Sequence, residues 1–109
     1  MAYQEGDFKR FTNISEWSKD LGDAFFSYYA RVFAKGELSA REKTLIGLAV
    51  AHAVQCPYCI ESFTTASLEQ GFTETQMMEA VHVAGAIKGG ATLVHGVQMM
   101  KQTDKMSKT

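Results

Sequence analysis

Pro57 is the single proline in 109 residues, and it stands between the only two cysteines, in the stretch HAVQCPYCIESFT at positions 52–64. Inside a helix, proline removes a backbone donor and its ring collides with the preceding turn, so any helical reading must break here. Proline is at home in the first helical position and drives the residue before it out of the helical region. The sequence therefore predicts that one helix ends near Val54 and that Cys56 caps the next, with Pro57 as its first residue.

Everything around that break has helical spacing. Val, Ile and Thr do not alternate with polar residues in the short runs that mark strands. From about Ser15 or Asp20 to Ala34, residues Trp17, Leu21, Phe25, Tyr28 and Val32 recur three or four apart, with Phe26, Tyr29 and Phe33 widening the stripe. So dense an aromatic stripe reads as core or subunit contact, and Gly22 either bends this helix or marks its start. Ser39-Ala40-Arg41-Glu42 has the form of a capping box and opens a helix apolar on nearly all sides, expected at the centre of the fold. The helix from Pro57 should stop at Gly71. Thr73-Glu74-Thr75-Gln76 forms a second capping box, and Gly89-Gly90 either kinks the helix that follows or separates it from a last helix over Ala91 to about Gln102. The tail TDKMSKT is expected to fray. The expected fold is all-α, one domain over residues 1–109 built as a bundle of about five to six helices.

Composition narrows the function. A formal net charge of -1 leaves no electrostatic footprint for a nucleic-acid backbone. No apolar run is long enough to span a bilayer, and MAYQEGDFKR lacks the apolar stretch of a secretory signal, so the expectation is a cytoplasmic protein without nucleic-acid or membrane partners. In a reducing compartment a close pair of thiols cycles, binds a metal or stays reduced rather than stapling the fold.

Positions three apart on a helix share a face, so Cys56 and Cys59 can join with little rearrangement. The free N–H groups at a helix start favour a thiolate, and the thiolate is the nucleophile. His52 lies one turn upstream, near the end of the preceding helix, and is placed to move a proton between a thiol and a leaving alkoxide. His82 and His95 read as structural, and Glu42 as a cap rather than a catalyst. A zinc reading would use His52, Cys56, Cys59 and His82, but zinc sites usually show a second close pair of ligands and none is present, so no metal and no other cofactor is expected.

The stretch LSAREKTLIGLAVAHAVQCPYCIESFTTASLEQGFTETQMMEAVHVAGAIKGGATLVHG, residues 38–96, resembles the alkylhydroperoxidase D-like branch of the carboxymuconolactone decarboxylase superfamily, most closely its arsenosugar biosynthesis-associated peroxidase-like subgroup. The resemblance implies an all-helical chain assembled as a homotrimer or homohexamer. It also implies a peroxidase site in which Cys59 attacks a hydroperoxide substrate, Cys56 resolves the sulfenic acid, and a dithiol reductant of lipoyl or thioredoxin-like type restores the pair. The dipole favours Cys56 as the more ionised thiol, whereas the resemblance makes Cys59 the attacker. The family relay commonly uses a glutamate twelve residues before the first cysteine and a histidine four after the second. Those positions hold Thr44 and Phe63 here, so His52 is expected to take over the relay, with Tyr58 or His82 as helpers. A rival reading has the two thiolates capturing a soft metal or trivalent arsenic. A third, lactone decarboxylation, does not call for a redox dithiol.

Overall fold

The computed structural model describes residues 6–108. A 3-10 segment, Asp7–Glu16, leads into α1 (Lys19–Phe33), α2 (Ala40–Ala53), α3 (Pro57–Glu69), α4 (Glu74–Val94) and α5 (Gly96–Ser107). No strand occurs among the described residues, as an all-α chain requires.

Both capping boxes form. Ser39 Oγ accepts from the Glu42 N–H at 3.0 Å while the Ser39 N–H donates to Glu42 Oε1 at 2.9 Å. Thr73 and Gln76 exchange the same two bonds at the start of α4, at 3.1 and 2.9 Å. Each box satisfies two donors that a helix start otherwise leaves open, and losing the hydroxyl of such a cap costs about 1 kcal/mol. Gly71, at φ 85, provides the left-handed turn that ends α3.

Two boundaries differ from expectation. α4 runs through Gly89-Gly90 to Val94 and breaks at His95, so α5 starts at Gly96 rather than Ala91. A helical glycine costs only about 1 kcal/mol, and two bonds offset part of it: Thr92 Oγ1 donates to the Lys88 carbonyl within the helix, and Lys88 Nζ reaches across to the Ala53 carbonyl at 2.9 Å. Beyond Gln102 the chain stays helical to Ser107, where Thr103 and Ser107 hydroxyls donate back to the Met100 and Asp104 carbonyls.

α2 is the central element, packed against α3 and α4 and more lightly against α1, while α5 packs substantially on α4 alone. Leu48 is 1% exposed and forms the core with Phe63, Phe72 and Met77. Burying a side chain such as Leu48 or Phe63 stabilises by about 1.5–3 kcal/mol. Gly47 lets α2 and α3 meet: a Cβ there would come within 3.0 Å of three ring atoms of Phe63. At the other end of the hairpin, Arg41 Nε donates to the Gln70 carbonyl at 3.1 Å and its guanidinium lies 3.8 Å from the Phe72 ring centroid.

α1 is tied on by Lys43, whose Nζ donates to the Val32 and Ala34 carbonyls at 2.8 and 2.7 Å, a cation at a helix C-terminus. Aromatic contacts run from Phe11 through Phe26, Phe25, Tyr29 and Phe33 to Phe63, with neighbouring centroids 4.8 to 5.8 Å apart. Phe25, Phe26, Tyr29 and Phe33 of the stripe thus form a ladder that ends in the core, whereas Leu21 and Tyr28 stay exposed. Gly22 is buried because Ser15 packs against its Cα, so it marks a close approach. α2 is less enclosed than its composition implies: Ile46, Val50 and Val54 remain about half exposed or more.

Opposite outcomes are expected for two small changes in this core. Gly47→Ala should lower unfolding stability by about 1–3 kcal/mol, since the collision with the Phe63 ring outweighs the better helix propensity. Ser67→Ala should raise it, because the Ser67 hydroxyl is fully buried without a hydrogen-bond partner. Urea midpoints compared at constant slope check both.

Candidate functional site

Between α2 and α3 the chain turns in three residues. Gln55 adopts a left-handed conformation at φ 57, which costs a non-glycine residue about 1–2 kcal/mol, and Cys56 at φ -102 then opens α3. The turn is locked by its own backbone: the Gln55 N–H donates to the His52 carbonyl at 3.1 Å and the Cys56 N–H to the Ala51 carbonyl at 3.0 Å. Cys56 is the N-cap and Pro57 the first helical residue, as the sequence predicts.

Cys56 and Cys59 are joined as a disulfide with Cα atoms 5.2 Å apart, inside the span of about 4.4–6.8 Å that such a bond tolerates. Their environments differ. Cys56 Sγ accepts the Cys59 N–H at 3.2 Å, so the capping sulfur receives a backbone donor and sits at the positive end of α3. Both influences stabilise negative charge on Cys56 when the pair is reduced. Cys59 instead lines an open, almost wholly apolar groove of about 610 Å³, whose other walls include Tyr29 and Phe33 of α1 and Gly47 and Val50 of α2. Cys56 does not line it. Burial pushes the Tyr29 phenol above its ordinary value, which keeps its hydroxyl neutral. Lys43 brings the single cationic side chain to the groove, and two of its N–H bonds are spent on α1.

His52 is half-buried, with Nδ1 2.8 Å from the Leu48 carbonyl. A carbonyl can only accept, so Nδ1 carries the proton and Nε2 is left as the basic nitrogen. Neither ring nitrogen hydrogen-bonds a sulfur. His82 and His95 are exposed on α4 and at its end. Among the described residues no three His, Cys, Asp or Glu side chains gather as metal ligands, so His82 is not drawn to His52 and the sulfurs. Tyr58 lines a separate groove along α3 with Glu61 and Ser62. Glu42 serves as a cap, and its bonds from the Ser39 backbone and side chain hold its carboxyl below the ordinary value.

The two positions where a family relay would lie are packing positions. Thr44 is buried and donates its hydroxyl to the Ala40 carbonyl at 2.9 Å, and Phe63 belongs to the core. Sequence reasoning missed the groove, because its walls come from three helices. The available signal was Gly47, an isolated glycine in an apolar helix, which marks a close approach.

Comparison with known proteins agrees with this architecture. The model of the carboxymuconolactone decarboxylase family matches residues 19–102. A curated relative, uncharacterized protein 4 in the cox locus of Paracoccus denitrificans, is 40% identical over 86 residues, which is 79% of this chain and 78% of the relative. A crystal structure of a protein from Methanobacterium thermoautotrophicum superposes with a TM-score of 0.74 at 30% identity, covering 79% of this chain and 96% of that one.

The asymmetry of the two sulfurs is measurable. In reduced protein, the Cys59→Ser variant, which leaves Cys56, should be alkylated with a midpoint below the usual thiol value of about 8.5, while Cys56→Ser should titrate at or above it. Alkylation rate against pH, read by mass spectrometry, checks the order.

Proposed function

The chain belongs to the carboxymuconolactone decarboxylase family, and from that premise we propose that it is a thiol-dependent peroxidase or disulfide oxidoreductase that reduces organic hydroperoxides through Cys56 and Cys59. Within the family we place it in the alkylhydroperoxidase D-like branch, nearest the arsenosugar biosynthesis-associated subgroup, on the pattern of residues 38–96. The observation that carries the reading is the exposure of one sulfur of a closely spaced pair, Cys59, in the wall of an apolar groove.

The chemistry follows from the unequal sulfurs. Nε2 of His52, which bonds neither sulfur in the disulfide form, takes the Cys59 thiol proton through solvent. The thiolate then attacks one peroxide oxygen, forming an S–O bond as the O–O bond breaks, and the alkoxide leaves as alcohol with the proton returned by His52. Cys56, held ionised by its capping position, attacks the sulfenic sulfur of Cys59. The disulfide forms and the hydroxyl departs as water after taking up one proton from solvent. A dithiol of lipoyl or thioredoxin-like type reduces the disulfide and closes the cycle. This division of labour removes the conflict between dipole and resemblance: the sulfur that meets the oxidant need not be the more acidic one, because the acidic one is the resolving nucleophile.

Capture of a soft metal or trivalent arsenic remains the second reading. It has two sulfurs to offer, and among the described residues no set of three metal-ligand side chains includes them. The exposed apolar residues of α1 and α4 support assembly as a homotrimer or homohexamer.

Peroxide-dependent oxidation of a dithiol should be lost in Cys59→Ser, and His52→Ala should slow it about a hundredfold with the pH profile shifted. Cumene hydroperoxide should outperform hydrogen peroxide, since the groove lining offers apolar contact and little else. Wild-type rates in Cys59→Ser would sink the reading.

A further inference from the structure

The single chain is far too open for its mass. Its accessible surface is 8767 Å², whereas a folded monomer of 12.0 kDa exposes about 6000 Å². Its radius of gyration is 19.3 Å, against about 13 Å for a compact chain of this length. The difference of roughly 2800 Å² per chain is the area that obligate interfaces bury.

Two unpartnered apolar surfaces contribute to it. One is the groove that exposes Cys59, where Ile46 and Val50 of α2 and Val54 just past its end stand open beside Val32 of α1. The other is the arm formed by α4 beyond Lys88 together with α5. Lys88 makes the last bond between α4 and the body, and α5 contains no buried residue. On the arm, Leu93, Val97 and Met100 recur four and three residues apart, flanked by Gly89 and Gly96, and His95 keeps a helical backbone at φ -67 and ψ -17 where α4 meets α5. Leu93 is 78% exposed, Met100 58% and Val97 49%, and a Cβ on either glycine would meet nothing within 4 Å. Glycines that weaken a helix without admitting any neighbour of their own chain leave room for a neighbour from outside. The groove runs along α2 from Lys43 to Val54, about 16 Å at 1.5 Å per residue, and the arm's stripe from Leu93 to Met100 covers about 10 Å of that.

We propose that the arm of one copy lies in the groove of a second, so that residues around Leu93, Val97 and Met100 supply the missing outer wall over Cys59. The contact is head-to-tail, because arm and groove are different surfaces, and such a contact makes a ring when its rotation closes. The dithiol site is then built by two chains. The small floor of Gly47, Ala51 and Cys59 stays clear under the arm as an enclosed apolar chamber for an organic hydroperoxide. That last consequence rests on the peroxidase reading, whereas the contact does not.

The test leaves catalysis aside. A photoreactive benzoylphenylalanine is placed at position 97 of the full chain, mixed with isotope-labelled chains, irradiated and mapped by mass spectrometry. Cross-links to the 44–56 region of the labelled chain are expected. Links to the arm of the second chain, links within one chain, or a single-chain mass with no product would each overturn the proposal. In parallel, Leu93→Glu should lower the assembly mass in light scattering and speed alkylation of reduced Cys59 at least fivefold, with helix content by circular dichroism unchanged. An unchanged mass and rate would contradict it. Should the cross-links map as expected while peroxide turnover is absent, the contact stands and the peroxidase reading falls.

Discussion

The Phe63 ring against the backbone of Gly47 sets the distance between α2 and α3, and most of the structure follows from that contact. It lets a fourteen-residue and a thirteen-residue helix close into a hairpin around Leu48. It also places Cys59, one turn before Phe63, at the edge of the core rather than within it. The three-residue turn at Val54, Gln55 and Cys56 is the consequence: a short connection between helices this close has room for little else, and Gln55 accepts a left-handed backbone to make it. The sulfur pair is therefore held by packing at one end and by a helix start at the other.

That arrangement explains why two thiols in one turn are not equivalent. The cap position gives Cys56 one backbone donor, the Cys59 N–H, and the dipole of α3, while Cys59 faces hydrocarbon. Charge is favoured on one and contact with an apolar reactant on the other. Thr44 and Phe63 serve the hairpin, one by a bond to the Ala40 carbonyl and the other in the core. His52 holds its Nδ1 proton on the Leu48 carbonyl, which leaves Nε2 as the basic nitrogen.

Local signals were legible in the sequence where the physics is local. Ser39 with Glu42, Thr73 with Gln76, Cys56 before Pro57 and Gly71 after α3 each mark a helix end through bonds made within four residues. The dithiol and its spacing could be read for the same reason. Less legible was whatever depends on elements meeting. Gly89-Gly90 looks like a break, yet Lys88 reaching across to Ala53 helps keep α4 whole, and no sequence pattern announces a bond over 35 positions. The groove beside Cys59 assembles from α1, α2 and α3, so only Gly47 hinted at it. The openness of α2 at Ile46 and Val50, read as buried from its composition, is likewise decided by which elements pack on it.

The central claim is that the Cys56–Cys59 bond is a working redox couple and not a brace for the fold. Equilibrating the protein in graded thiol–disulfide buffers, with labelled mass spectrometry for the redox state and circular dichroism for the helices, tests it most directly. The account predicts a midpoint in the range of exchanging dithiols, about -180 to -270 mV, with helix content the same in both states. A pair that resists reduction beyond about -300 mV, or helices that melt when the bond opens, would contradict it.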